Sequence, residues 1–265
     1  MKDRNTFIHY VHMTVKKSYV LAEMETRKLL HDPTELVSRA VQPLLWLGIF
    51  GQALSRVRAI PTPEGLTYMQ FIVPGILTQS VVFVSIFYGL YIIMDRDTGI
   101  LQKLLVTPTP RLALVWGKMI SAGIRGLSQA VIVCLFALLM RIELHLTVLS
   151  AIGVVIIVML GAGFFTGLSM IIASIVKTRE RFMGIGQVIT LPLFFASNAI
   201  YPVSIMPDWL RVVATINPLS YMVSGLRTLM LTGGSAGVGF DMAVLACATF
   251  LISIVSAWMY PKVVI

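Results

Sequence analysis

The sequence predicts an all-α integral membrane protein: six transmembrane helices, an N-terminal amphipathic interfacial helix, a short cytoplasmic helix between spans 2 and 3, and short outer re-entrant or amphipathic helices between spans 5 and 6. Three observations lead there. Hydrophobic residues fill 57% of 265 positions and charged ones only 12%, about half the roughly 25% charge of a soluble domain, so a water-facing surface cannot be built. The apolar residues fall in runs that reach the ~20 residues a helix needs to cross a ~30 Å hydrocarbon core. Proline, glycine and charged residues interrupt those runs often enough to separate six of them. Residues 1–31 form an N-terminal cytoplasmic or interfacial unit, and residues 32–265 form the membrane domain.

Residues 5 to 30 are amphipathic, with Phe7, Val11, Val15 and Tyr19 at every fourth position and Lys16, Lys17, Glu23 and Arg27 on other faces. They read as a helix on the membrane surface or as a solvated helix of a small cytoplasmic head. Cations and histidines interrupt this stretch, so no cleavable signal peptide is expected. Asp32 is placed to cap the next helix, with Pro33 in its first turn and Glu35 at the capping-box position; the first span runs from there to about Leu54.

The second span covers roughly Met69 to Met94, with Pro74 near its outer end. The third covers Leu112 to Met140 and the fourth Thr147 to Val176, where Gly163 and Gly167 form a small-xxx-small pair suited to close helix contact. A fifth span starts near Phe182 and is broken or kinked at Pro192, and a sixth runs from Phe240 to Tyr260. Between these two, Asn217 can cap a helix that begins at Pro218 and stops at Gly233-Gly234. From Pro218 to Leu231 is only 14 residues, ~21 Å and too short to cross. Two amphipathic helices resting at the outer interface are therefore expected, with Trp209 and Tyr221 as anchors.

Fourteen of the 21 Lys and Arg residues fall on segments that would be inside if the N-terminus is inside, against five outside (Arg56, Arg58, Arg141, Arg211 and Arg227). The positive-inside rule then puts both termini in the cytoplasm. Anionic lipid accounts for the net charge of +9 without nucleic acid. Cys134 and Cys247 lie in apolar stretches without metal-ligand spacing and read as buried, inert thiols.

Several chemistries lack their residues. Gly117-Lys118 is followed by Met119, so no GxxxxGKS/T phosphate cradle exists and no ATP hydrolysis is expected of this chain. HExxH, GxSxG and paired Cys/His sets are absent, and His9 with His12 is a lone pair; no catalytic, cofactor or metal site is assigned. Acids are read as absent from the spans apart from the capping turn at Glu35, which disfavours an ion-coupled carrier. Arg39 and Arg125 lie well inside their spans. They either snorkel to the inner headgroups or line a cytoplasm-facing vestibule that attracts an acidic or phosphate-bearing substrate.

Asp95-Arg96-Asp97-Thr98-Gly99-Ile100-Leu101-Gln102-Lys103-Leu104-Leu105-Val106-Thr107-Pro108 joins spans 2 and 3. Such a helix offers Leu101, Leu104 and Leu105 to a groove on another protein. The segment resembles the corresponding loop of the ABC-2 family of ATP-binding-cassette exporter permeases, departing from it at Ile100, where Thr is common, and at Gln102, where Glu is common. A second stretch, Leu191-Pro192-Leu193-Phe194-Phe195-Ala196-Ser197-Asn198, Tyr201-Pro202, Met206-Pro207-Asp208-Trp209-Leu210, Asn217-Pro218-Leu219-Ser220-Tyr221 and Leu226-Arg227, is similar to the drug-resistance branch, including daunorubicin-exporter membrane subunits.

The resemblance implies a permease subunit, not itself an enzyme, in a multi-pass plasma or inner membrane location. It implies a homodimer, or a pair with a similar permease, joined to two ATP-binding-cassette ATPase subunits that hold ATP and Mg, and outward movement of an amphipathic drug-like, lipid or glycolipid substrate. Coupling would run through Asp95, Arg96, Asp97, Gly99, Leu101, Lys103, Leu104, Leu105 and Pro108. Arg39, Gln42, Arg125, Phe194 and Asn198 would line the pathway, and Pro192, Tyr201, Pro202, Asn217, Pro218 and Tyr221 would form an outer gate. The alternatives are an ion-coupled secondary transporter and a non-transporting membrane scaffold.

Overall fold

The computed structural model describes residues 2–31, 33–57, 62, 65–101, 103, 109–176, 178–234 and 237–263, which are helical or connecting and contain no strand. Four helices among them are long and apolar enough to cross a membrane: α4 (Tyr68–Asp97), α5 (Arg111–Leu139), α6 (Val148–Ile175) and α10 (Val238–Met259). Each falls within three residues of a predicted span boundary, because hydropathy sets the length and the capping residues set the ends. Thr67 begins α4 with a capping box, its hydroxyl accepting from Gln70 N while Gln70 Oε1 accepts from Thr67 N; Thr147 and Ser150 repeat the device at α6.

α4 is the central element. Nearly every residue from Phe71 to Ile86 is buried, because α5, α6, α7 (Arg179–Phe195) and α9 (Pro218–Arg227) all pack around it. α10 closes the other side of α6, and the glycine pair explains where. A Cβ on Gly163 would stand 3.1 Å from Thr249, and one on Gly167 would stand 2.8 Å from Ile252. The backbones come close enough there for Ser256 Oγ to donate to Gly167 O at 2.9 Å and Thr249 Oγ1 to Leu160 O at 2.9 Å.

Residues 33–57 form one helical run: α2 (Pro33–Leu45), π turns over Trp46–Gly51 and α3 (Gln52–Val57). The wider winding follows Pro43, which lacks an N–H for the helical ladder, and takes in Gly48 and Gly51. Asp32, the predicted cap, and the Glu35 side chain lie outside the described residues.

The N-terminal helix α1 (Lys2–His31) lies along α5, and the face it buries is not the predicted apolar stripe. Thr14, Ser18 and Ala22 are buried while Val15 and Tyr19 are exposed; the side chains of Phe7 and Val11 lie outside the described set. A small-residue contact decides the orientation: a Cβ on Gly117 would meet Leu21 Cβ at 2.8 Å and Ser18 O at 3.2 Å.

Two further readings are narrowed. The helix α7 runs through Pro192 and stops only at Phe195, so the chain turns back after the proline, not at it. Of the two helices expected to rest on the outer interface, α8 (Asp208–Ile216) does leave Trp209, Val212 and Ile216 exposed. By contrast α9 is inserted into the bundle, with Leu219, Met222, Val223 and Leu226 fully buried. An apolar stripe along one face fits a surface helix equally well, but α4, α6 and α10 cover α9 from several sides. It continues in π turns over Thr228–Thr232 and ends at Gly233, whose φ of 60° is the left-handed geometry glycine accepts freely. Cys134 is half-buried, whereas Cys247 is exposed on the apolar flank of α10 and not buried as expected.

Candidate functional site

At the end of the bundle where α4 stops, two neighbouring carboxylates reach in different directions. Asp95 Oδ2 accepts from Lys118 Nζ on α5 at 2.7 Å. Asp97 Oδ1 accepts from Arg96 Nη2 at 2.9 Å, and its Oδ2 accepts from Arg179 Nη2, at the first residue of α7, at 3.0 Å. Positions i and i+2 on a helix point about 200° apart, which is why one short acidic pair can fasten the end of α4 to two different helices.

Thr98 then closes α4 by donating to Met94 O, and Gly99 turns the chain with φ 72°. Ile100, Leu101 and Lys103 resume as helix. Leu101 is not offered to a partner: it is fully buried in a cluster with Ile92, Leu114, Met119, Met170 and Tyr260. Of the described residues in this segment, Ile100 and Lys103 face outward. Sequence alone assigns the docking role to the leucines, yet the left-handed turn at Gly99 rotates Leu101 into the bundle. Leu104, Leu105 and Pro108 lie outside the described residues. Farther along the chain, Lys17 Nζ of α1 donates to Thr109 Oγ1 at 3.2 Å and Ser18 Oγ lies 3.1 Å from Ala113 O, so α1 is tied to the start of α5.

Above this foot, a line of cations and tyrosines runs into the bundle. The Tyr88 hydroxyl donates to Ser121 Oγ at 3.2 Å, and the Tyr88 ring lies 5.7 Å from Lys118 Nζ and 5.5 Å from the Arg125 guanidinium. Arg125 also stands 5.2 Å from the Tyr91 ring, whose hydroxyl accepts from Arg39 Nη2 at 3.1 Å. Arg39 and Arg125, from different helices, thus meet on one tyrosine. Arg39 and Gln42 further border a small cavity with Gln79, Ser80 and Phe83. Snorkelling does not describe Arg125, which is buried. The remaining two predicted pathway residues, Phe194 and Asn198, lie apart from this line, near the other end of α7.

At that other end, the turn after Phe195 is held mainly through its carbonyls. Asn217 caps α9 by accepting from Leu219 N at 3.0 Å, and its amide donates to Leu193 O at 2.7 Å and Ala196 O at 3.3 Å. These are the carbonyls that the end of α7 leaves without intrahelical partners. The Tyr201 hydroxyl donates to Phe195 O, and partial burial pushes its pKa up. Pro202 leads into a short 3₁₀ turn, Val203–Ile205. Tyr221 donates to Thr215 O at 2.7 Å across the α8–α9 junction, where Pro218 is the first residue of α9. The predicted gate residues therefore gather in one region. Pro192 is on its flank and exposed.

Sequence reasoning misses four participants. Lys118 and Arg179 are the partners of the two aspartates, and only tertiary packing pairs residues 23 and 82 positions apart. Arg227, part of the second motif and counted as an outer charge but given no role, lies with its guanidinium 3.8 Å over the Phe71 ring. Asp241, which contradicts the expected absence of acids from the spans, sits in the first turn of α10, buried beside Gly225 of α9.

The sequence matches the ABC-2 type transporter family over residues 17–231. The chain belongs to that family. As an ABC-2 type transporter it is a multi-pass membrane protein and a transmembrane permease subunit of an ABC transporter. The matched region takes in the foot at Asp95–Asp97, the Tyr88–Tyr91 line and the carbonyl-bound turn, and ends within the π turns that follow α9. Curated relatives agree over most of its length. It is 29% identical to a transport permease, ycf38, of Cyanophora paradoxa, over 81% of this chain and 74% of the relative. It is 23% identical to a daunorubicin resistance ABC transporter permease protein, DrrB1, of Streptomyces coeruleorubidus, over 83% and 75%. The inner membrane transport permease YadH of Escherichia coli K12 is 27% identical over 72% of this ABC-2 type transporter and 73% of YadH.

Proposed function

We propose that this chain is the six-span permease of an exporter driven by separate ATP-binding-cassette subunits. The helical run 33–57 would be the first span and α7 the fifth, added to the four long apolar helices. Both termini would be cytoplasmic, in the plasma or inner membrane, with residues 1–31 as the cytoplasmic or interfacial unit and 32–265 as the membrane domain. Two copies would pair with two ATPase subunits, which hold ATP and Mg; this chain would bind neither.

The double attachment at Asp95 and Asp97 carries the reading. A partner that pushes the segment after Gly99 moves α5 through Lys118 and α7 through Arg179 together, so one displacement reaches two helices. Coupling needs no more than a segment that binds the ATPase differently in its two states. The Arg39, Gln42 and Arg125 side chains would receive the polar end of an amphipathic drug-like, lipid or glycolipid substrate, and the turn beyond Phe195 would close the outer end.

The test is to purify the chain with tagged ATPase candidates and measure vanadate-sensitive ATP turnover and transport in proteoliposomes. Stimulated turnover lost in Leu104→Asp supports the reading. Transport by the permease without any ATPase would overturn it and favour an ion-coupled carrier, a reading in which buried Asp241 would be the coupling acid.

A further inference from the structure

The geometry points to Arg227 as the residue that positions the turn after α7, holding it against α4 and so setting when the outer end of the pathway opens. This rests on reading that turn as the outer closure. Arg227 is on α9, inside the bundle, and no carboxylate pairs with it among the described residues. Its Nη2 donates to Asn198 O of the turn at 2.7 Å and lies 3.4 Å from Phe71 O of α4. The guanidinium plane covers the Phe71 ring at 3.8 Å. One side chain therefore grips the turn, the central helix and its own helix at once.

The turn calls for a directional grip where its backbone presses on the backbone of α4. Gly75 faces the Ala199 peptide, and a Cβ there would collide with the Ala199 carbonyl. Ala199 and Ile200 belong to an apolar cluster with Val82 and Ile86 of α4, and such burial is non-directional. The other ties are local or weak: Asn217 binds Leu193 and Ala196 at the end of α7, and Tyr68 reaches Ile200 O at 3.4 Å. Among the described residues, only Arg227 supplies a charge-assisted bond to the turn itself, of the kind roughly twice as strong as a neutral one.

The site is also incompletely satisfied. Arg227 Nε and Asn198 Oδ1 are both buried with no hydrogen-bond partner. A buried guanidinium left with an idle N–H and no counter-ion favours release more than a fully bonded ion pair would. That suits a contact that must break in each cycle better than one built only for stability.

The test uses the full chain in proteoliposomes with Cys247→Ser and a reporter Ser197→Cys, which replaces a fully buried serine. Native Cys134, half-buried in α5, reports on the bundle as a whole. Labelling by a membrane-permeant maleimide is followed at both thiols. Arg227→Gln should raise the rate at position 197 by about ten-fold, the loss of one charge-assisted bond, while Cys134 is unchanged. Arg227→Lys, which can still donate to Asn198 O, should restore most of the protection. No change at 197, equal gains at 197 and 134, or no rescue by lysine would each overturn the proposal. No ATPase or substrate enters the assay, so its failure is separate from failure of the exporter reading.

Discussion

Lys118 Nζ lies 2.7 Å from Asp95 Oδ2 with only 7% and 16% of the two side chains exposed, which makes it a largely dry ion pair between the end of α4 and the first third of α5. Removing one member of such a pair strands the other charge, at a cost of about 3–5 kcal/mol, whereas removing both leaves a far smaller deficit. Lys118→Met and Asp95→Asn should each lower the thermal midpoint of the detergent-solubilised protein by several degrees, and the double variant should recover at least half of the loss. Additive losses would deny that the two residues act as a pair.

The neighbouring contact is expected to behave differently. Asp97 and Arg179 are 36% and 44% exposed, so their ion pair contributes at most about 1 kcal/mol and weakens with salt. Arg179→Ala should leave thermal stability almost unchanged. If the pair transmits the push of the ATPase to α7, the same variant should lower substrate-stimulated ATP turnover several-fold. A large fall in the midpoint with normal turnover would assign the pair to stability alone.

Leu101 and Lys103 separate inward from outward on the segment after Gly99. Leu101 is fully buried, so Leu101→Ala should cost about 2–5 kcal/mol through lost burial and the cavity left behind. Lys103 is exposed, and Lys103→Ala should change stability by no more than about 0.5 kcal/mol while weakening association with the ATPase in a pull-down. Equal effects of the two changes on stability would contradict the inward turn at Gly99.

Asn217 accepts at Oδ1 and donates at Nδ2, and the two roles can be separated. Asn217→Ala loses both, at an expected cost of about 2 kcal/mol. Asn217→Asp keeps the cap to Leu219 N but turns a carboxylate toward Leu193 O and Ala196 O. The aspartate variant should therefore be no more stable than alanine in a thermal melt. Full retention of stability would reduce Asn217 to a simple helix cap.

The long spans are legible because hydropathy and capping are local. Thr67 with Gln70, Thr147 with Ser150 and Asn217 with Pro218 mark helix starts by chemistry that acts within three residues. The residues of the candidate site are legible only as types. Arg39 and Arg125 stand out as charges in apolar runs, but nothing local shows that they share Tyr91. Leu101 misleads because an apolar residue in a short polar loop looks the same whether it faces a partner or its own bundle.

Sequence by itself determined that the bilayer is the solvent, where the long helices begin and end, and that no nucleotide or metal chemistry is signalled by motif. Each of these follows from composition or from neighbours within one or two helical turns. The tertiary structure alone decided which face of α1 packs on α5, that α9 goes into the bundle instead of lying on it, and that Lys118, Arg179 and Arg227 hold backbone or carboxylates from distant segments. The reason is physical: a helix carries its apolar stripe and its charges wherever it lies, but where it lies depends on how closely backbones approach at glycines such as Gly75, Gly117 and Gly167, and that closeness is a property of two helices at once.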